Sequence, residues 1–432
     1  MEYKYKGKYI AVIGLGIEGK DAISFLLKRG AKITLFDGKP ENELDFEGVD
    51  KEKIDKICGE DYLKNGLKDF DIIVRSPGVY RYIPEITEAE KSGVKITSGM
   101  KIFFDECPAK IIGVTGTKGK GTTSTLIYEI LKKEGKDVYL GGNIGKPSLA
   151  LLPDITVSSW IVLEMSSFQL LDMDVSPHIA VVLNITLDHM DWHKDQNEYV
   201  NAKKNIVRYQ SASDFAVINE EYETPKSFAE ESGGKVIFFS KDTLEEKYKE
   251  DLLLRGVHNL ENIAAAVTTC KIVGIDEETI LGVVRSFKGL EHRLELVAEV
   301  DGVFYYNDSF ATGPQPTMAA INSFSEDETL ILGGSDKGLD YGDLRKLIEE
   351  KDNVKNLILI GDTGEKIGNG IKDKNIIHLG KSPMIRIIET AQEMTKSGGV
   401  VILSPASASF DMFKNYKDRG NQFKKAVLNL KG

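Results

Sequence analysis

Residues 113–123 read Gly-Val-Thr-Gly-Thr-Lys-Gly-Lys-Gly-Thr-Thr. The apolar lead-in of Ile111, Ile112 and Val114 predicts a buried strand, and the run that begins at Ser124 predicts a helix. A strand, a glycine-rich loop carrying Lys120 and a helix start together make a phosphate cradle. Backbone N–H groups and the helix dipole hold the anion there, and the lysine reaches its terminal phosphates. The strict pattern would need Gly at 114 and Ser or Thr at 121, where Val and Gly stand, so Thr122 or Thr123 would supply a hydroxyl for a metal. A ligand-free glycine-rich turn is the plainer alternative, and the context favours a bound nucleoside triphosphate.

On either side of this stretch, strands alternate with helices. Residues 9–16 predict a strand and turn, 19–29 a helix, 32–37 a strand, and 71–74 a strand that ends in Arg75-Ser-Pro-Gly78. Further strands are predicted at 160–164 and 179–184, and a helix at 259–273. The texture changes near 289–300, which reads as a linker, and strands follow at 303–307, 329–333, 357–361 and 400–404. Such alternation predicts α/β architecture with mostly parallel sheets. A chain of 432 residues exceeds one hydrophobic core. Three domains are expected, over 1–106, 107–291 and 292–432.

Composition narrows the function. An apolar content of 41% and a charged content of 28% describe an ordinary soluble protein. The net charge of −11 argues against nucleic acid and anionic membranes as partners, while leaving room for local phosphate pockets. Cys58, Cys107 and Cys270 are odd in number and far apart, which predicts no disulfide framework and a reducing compartment. The chain opens straight into a strand and has no apolar run long enough to span a bilayer. A cytoplasmic location is expected.

Several other segments could carry chemistry. Gly14-Leu-Gly16-Ile-Glu18-Gly19 lies between a strand and a helix, with Asp37 at the end of the next strand. This is the layout of a dinucleotide-binding turn, open to NAD, to another nucleotide, or to no ligand. The second phosphate loop shifts the weight toward a nucleotide-linked substrate. Glu18 is an unfavourable neighbour for a diphosphate, because like charges repel. Glu164 ends a strand beside the phosphate loop, where a carboxylate suits Mg²⁺ or caps the next helix. Asp188-His189-Met-Asp191 follows another strand end, and Asn201-Ala-Lys203-Lys204 reads as a helix face. Asn259 and Asn262 share one helical face and could touch a base or phosphate; Asn259 could equally cap the helix. Gly333-Gly-Ser-Asp-Lys337-Gly and Ser404-Pro-Ala-Ser-Ala-Ser409-Phe-Asp411 are two more turns after strands.

Taken in order, these segments resemble the Mur ligase family along the whole chain. The resemblance rests on Ser-Pro-Gly at 76–78, the phosphate loop, Gly-Gly-Asn-Ile-Gly at 141–145 and Glu-Met-Ser-Ser-Phe-Gln at 164–169. It continues through Asp-His-Met-Asp at 188–191, Tyr199-x-x-x-Lys203, His258-Asn-x-x-Asn262, His292-Arg293, Asn-Asp-Ser-x-Ala-Thr at 307–312 and Ser-Pro-Ala-x-Ala-Ser at 404–409. It implies a Rossmann-like N-terminal domain for a UDP-substrate, a central P-loop ATPase-like domain and a Rossmann-like C-terminal domain for glutamate. It also implies an ATP-dependent amide ligase of peptidoglycan synthesis, a monomer, using ATP and Mg²⁺. The reaction would join D-glutamate to UDP-N-acetylmuramoyl-L-alanine through an acyl phosphate.

By the same resemblance, Gly116, Thr117, Lys118, Gly119, Lys120, Gly121, Thr122, Thr123, Asn259, Asn262, Arg293 and Asp308 would hold ATP. Thr122, Glu164, His189 and a carbamylated Lys203 would hold the metal, with Lys120, Glu164, His189 and Lys203 catalytic. Gly16, Ile17, Glu18, Asp37, Ser76, Gly78, Asn143 and Ser166 would contact the UDP-substrate. Thr312, Lys337, Ser409, Phe410 and Tyr416 would contact glutamate. Two positions depart from the pattern: Glu18 replaces a frequent Thr, and Phe310 replaces a lysine. The second departure opens L-glutamate as the alternative substrate. A folylpolyglutamate-synthase-like ligase shares the phosphate loop, but there no complete nucleotide-binding domain precedes it. A nicotinamide-dependent dehydrogenase would explain residues 14–37 alone.

Overall fold

A computed structural model describes residues 4–64, 66–186 and 188–430. Three sheets follow one another along the chain. The first contains β1 (Tyr9–Ile13), β2 (Lys32–Asp37), β3 (Ile54–Cys58), β4 (Ile72–Arg75) and β5 (Lys95–Ser98), in the order β3-β2-β1-β4-β5. The second contains β6 (Lys110–Thr115), β7 (Val138–Gly142), β8 (Trp160–Glu164), β9 (Ile179–Val182), β10 (Phe215–Asn219) and β11 (Lys235–Phe239), in the order β11-β10-β9-β6-β8-β7. The strand pairs of both are parallel. Central strands are buried nearly throughout, which is why they appear in the sequence as unbroken apolar runs such as Ile-Ala-Val-Val at 179–182.

The third sheet contains β12 (Glu295–Val300), β13 (Val303–Asn307), β14 (Glu328–Gly333), β15 (Val354–Ile360), β16 (Asn375–Gly380) and β17 (Val400–Leu403), in the order β12-β13-β17-β14-β15-β16. β12 and β13 are antiparallel, joined through Asp301 and Gly302, both with positive φ (51° and 76°). The linker expected over 289–300 therefore ends in a strand. Asp-Gly between two apolar runs is the usual sign of a tight hairpin, and it lies in the sequence at 301–302. Side chains alternate across this sheet. Tyr305, Ile331 and Val401 pack with Ile387 and Phe423 on one face, while Tyr306, Leu330 and Ile402 pack with Leu344 and Ile348 on the other.

The chain divides into two compact units. The first runs through Leu244 and takes up Glu261–Val283; the second joins Glu245–Leu260 to the residues from Val284 onward. The first unit carries two sheets, and one apolar cluster runs through both, from Val12, Leu26 and Phe103 to Leu163, Val182 and Ile218. No helix among the described residues is long and apolar enough to cross a membrane. The loops at 14–16, 75–78, 116–119 and 164–166 all leave the carboxyl ends of parallel strands, where open α/β sheets bind ligands.

Candidate active site

The helix after β6 begins at Lys120 rather than at Ser124, so Gly121, Thr122 and Thr123 form its first turn. The Thr123 N–H donates to the Gly119 carbonyl at 2.9 Å, and the N–H groups ahead of it are the ones a helix start offers to an anion. Gly119 caps it at φ 84°, and a Cβ there would lie 2.1 Å from Asn262 Oδ1, so both backbone and space demand glycine. At Gly116 a Cβ would meet Leu183 at 2.8 Å. The loop is pinned from outside: Thr117 N–H donates to the Asn184 carbonyl (2.7 Å), and its hydroxyl meets the Tyr199 hydroxyl (2.9 Å). Lys118 N–H donates to Asn184 Oδ1 at 3.1 Å, and Thr123 Oγ1 donates to Asn262 Oδ1 at 3.3 Å. Lys120 Nζ curls back onto the carbonyls of Gly116 and Thr117, both at 3.0 Å.

A second lysine reaches the same loop. Lys203, on the helix Gln196–Arg208, is 2% exposed and donates to the Gly116 carbonyl at 2.9 Å. Burial and the nearby Lys120 charge hold its pKa well below the usual lysine range, opposed by Asp188 and Glu164. Glu164, buried at the end of β8, accepts from Asn143 Nδ2 at 2.8 Å. Thr122 is half-buried in the first helical turn. His189 is exposed, with φ 55°, 3.8 Å from Asp188 and beside the Phe168 ring. Among the described residues no group of three or more His, Cys, Asp or Glu side chains is placed to hold a metal. The expected set has only Glu164 and His189 of those types. It needs Lys203 as an oxygen donor, which an unmodified amine is not.

The first-sheet turn shows how Glu18 is housed. Gly16 caps the helix Ile17–Lys28, Ile17 is 75% exposed, and Gly78 is exposed. Ser76 Oγ donates to the Gly14 carbonyl at 2.7 Å. Both Asp37 oxygens accept backbone N–H groups, from Leu15 (2.8 Å) and Lys39 (2.9 Å). Glu18 accepts from Gln169 Nε2 at 2.6 Å, while its Oε2 is buried without a partner. Burial raises its pKa to about 7, against the pull of Gln169 and Arg75. Gln169 closes a capping box with Ser166 at the start of the helix Ser167–Leu170.

Arg75 was not among the expected site residues. It is fully buried, bonds Asp172 (2.6 Å) and the Phe168 carbonyl (2.8 Å), and donates to the carbonyls of Ser76, Pro77 and Val79. It thereby ties the Ser-Pro-Gly turn to the segment that follows Glu164. Its place just before that turn is the one signal in the sequence.

In the second unit, Asn259 donates to the Arg255 carbonyl (2.6 Å). Asp308 is buried and bonded by Ser404 Oγ (2.7 Å) and Leu294 N–H (3.2 Å), and burial raises its pKa to about 7. Arg293 lies over the Phe310 ring, 4.0 Å from its centroid, and Tyr416 meets that ring edge-on at 4.9 Å. Thr312 N–H donates to the Phe310 carbonyl at 2.8 Å. Exposed Lys337 lies 5.8 Å from the Phe410 ring, and Ser409 is buried beside it. Arg419, also unforeseen, is fully buried and donates to Ser309, Ser407 and Ala408, joining the loops that carry these residues.

A βα phosphate loop with two lysines on it, beside a strand-end carboxylate, defines a nucleotide-binding α/β protein. Residues 8–98 match the MurD-like N-terminal domain of Mur ligases, and residues 114–253 match the Mur ligase middle domain. A relative from Acetivibrio thermocellus named UDP-N-acetylmuramoylalanine–D-glutamate ligase is 45% identical, with 99% of this chain and 97% of the relative covered. One of the same name from Clostridium kluyveri is 41% identical, with 98% and 97% covered. Among solved structures, UDP-N-acetylmuramate–alanine ligase MurC from Thermotoga maritima shares the fold, with a TM-score of 0.58, 17% identity and 98% and 99% coverage. MurF ligase from the same organism, solved in complex with ADP, gives 0.57, 17%, and 99% and 97%. This chain belongs to the Mur ligase family.

Proposed function

We propose that the protein is an ATP-dependent ligase that joins D-glutamate to UDP-N-acetylmuramoyl-L-alanine in the cytoplasm, as a step of peptidoglycan precursor synthesis. The observation that carries this reading is the approach of Lys120 and buried Lys203 to the Gly116 carbonyl, beside Glu164. A carboxylate is a poor electrophile, and transfer of a phosphoryl group to it supplies a leaving group. The glutamate amine then attacks the acyl carbon and expels phosphate. In this reading the first-turn N–H groups and Lys120 hold the phosphates and screen the charge that builds during transfer. Asn262 and Asn259, Arg293 and Asp308 complete the ATP contacts. Gly16, Ile17, Glu18, Asp37, Ser76, Gly78, Asn143 and Ser166 bind the sugar nucleotide, and Thr312, Lys337, Ser409, Phe410 and Tyr416 bind glutamate.

Lys203 fits a carbamate. A neutral amine is what adds to CO₂, and burial favours that form. The N–C bond forms as a proton leaves, and the product is an anion. Thr122, Glu164, His189 and the carbamylated Lys203 would hold Mg²⁺, which supplies a Lewis acid for the phosphoryl oxygens. The division into domains at 1–106, 107–291 and 292–432 is part of the same proposal, as is a monomeric state.

The test is a phosphate-release assay with ATP, Mg²⁺, UDP-N-acetylmuramoyl-L-alanine and each enantiomer of glutamate. Release with D-glutamate alone is expected. Release with L-glutamate alone would reverse the stereochemical assignment, and no release with either would end the ligase reading.

A further inference from the structure

Phe310 is 40% exposed, an unusual place for a phenylalanine within a motif of small and polar residues. Its neighbours account for it. The Arg293 guanidinium lies 4.0 Å from the ring centroid, and among the described residues no ion pair or hydrogen bond engages that guanidinium. The two residues are also coupled through the backbone. Phe310 N–H donates to the His292 carbonyl at 3.0 Å, and Leu294 N–H donates to Asp308 at 3.2 Å. His292 and Leu294 both have positive φ (64° and 44°), so Arg293 sits in a tight, strained corner held by the 308–310 loop. Tyr416 braces the ring from its edge at 86° and also meets His292 at 6.0 Å.

A long arginine side chain on the surface has rotamer freedom to lose when it meets an anion. An aromatic face removes part of that freedom in advance and leaves the N–H edge of the guanidinium open. We propose that Phe310 is a positioning residue, which holds Arg293 by its ring face with the donor edge presented to the phosphates of ATP. The proposal rests on the ligase reading given above. It assigns a task to the residue that departs most from the family pattern: orientation of a cation rather than a second positive charge.

The experiment is a double-mutant cycle on the full chain. With Phe310→Leu, kcat/KM for ATP should fall about two- to fivefold, the size of a cation–π contact at an exposed site. The KM for UDP-N-acetylmuramoyl-L-alanine should stay put, and Phe310→Trp should restore the ATP value. In an Arg293→Gln background, Phe310→Leu should cost nothing more. Equal losses in both backgrounds, or a Trp variant no better than Leu, would overturn the proposal. The same four proteins unfolded in urea without ligand should give a coupling between positions 293 and 310; its absence also overturns the proposal. That measurement does not depend on turnover, so a failed ligase assay and a failed contact are told apart.

Discussion

Glu18 shows how one residue can set a pH response. Its carboxyl is buried with one oxygen unpartnered, and its pKa rises from 4.5 to about 7. Burial is the largest cause, Gln169 and Arg75 pull the other way, and Asp21 adds a smaller push upward. With the folded value above the unfolded one, the folded protein binds the extra proton. The stabilisation is complete at low pH and is lost as pH rises through about 7. In the proposed substrate site, the same proton would decide whether a neutral acid or an anion faces the diphosphate. KM for the UDP-sugar should therefore rise up to about tenfold between pH 6 and 8, following the ionised fraction. Glu18→Gln should keep the low-pH value across that range. A variant profile as steep as that of the unmodified protein would exclude Glu18 as the source.

Among elements, the junction of β4 with the helix Ser167–Leu170 depends on Arg75. The Arg75–Asp172 pair is buried on both sides, with side chains 0% and 4% exposed, and Arg81 adds a second cation at 3.1 Å. Cutting one partner out of such a pair leaves the other charge buried and costs about 3–5 kcal/mol. Arg75→Ala should lose stability on that scale in urea titrations, whereas Arg75→Ala combined with Asp172→Asn should recover part of it. A loss below about 1 kcal/mol, the range of exposed pairs, would mean that the junction holds without the ion pair.

At the scale of the whole molecule, the first compact unit carries the apolar cluster of Val12 and Leu163, and the second carries the clusters of Tyr305 and Tyr306. Each unit is large enough to melt cooperatively, so calorimetry should resolve two transitions. Every residue assigned to the UDP-substrate lies in the first unit. A ligand that binds only one folded unit stabilises that unit, by about 2.7 kcal/mol at a hundred times its Kd. UDP should accordingly raise one transition and leave the other in place. A single transition, or two that rise together, would show that the units are coupled in unfolding or that the assignment is wrong.

Much of this was legible before the fold. Buried parallel strands are apolar runs, so β1, β2, β4, β6, β8, β9, β13, β14, β15 and β17 were readable from pattern. The phosphate loop was readable because glycines and a lysine at fixed spacing have few other uses. β3, β5, β7, β10, β11, β12 and β16 were not recognised; all but β10 are edge strands, paired on one side only, and their alternating or mixed residues give a weaker signal. Arg75 and Arg419 look like surface arginines in the sequence, and only the packing around them shows that they are fully buried. Phe310 appeared as a missing lysine until the fold set it beneath Arg293. Local spacing determines which atoms a turn presents. Which side chain from a distant segment meets them is decided by the assembled core, because those contacts have no period along the chain.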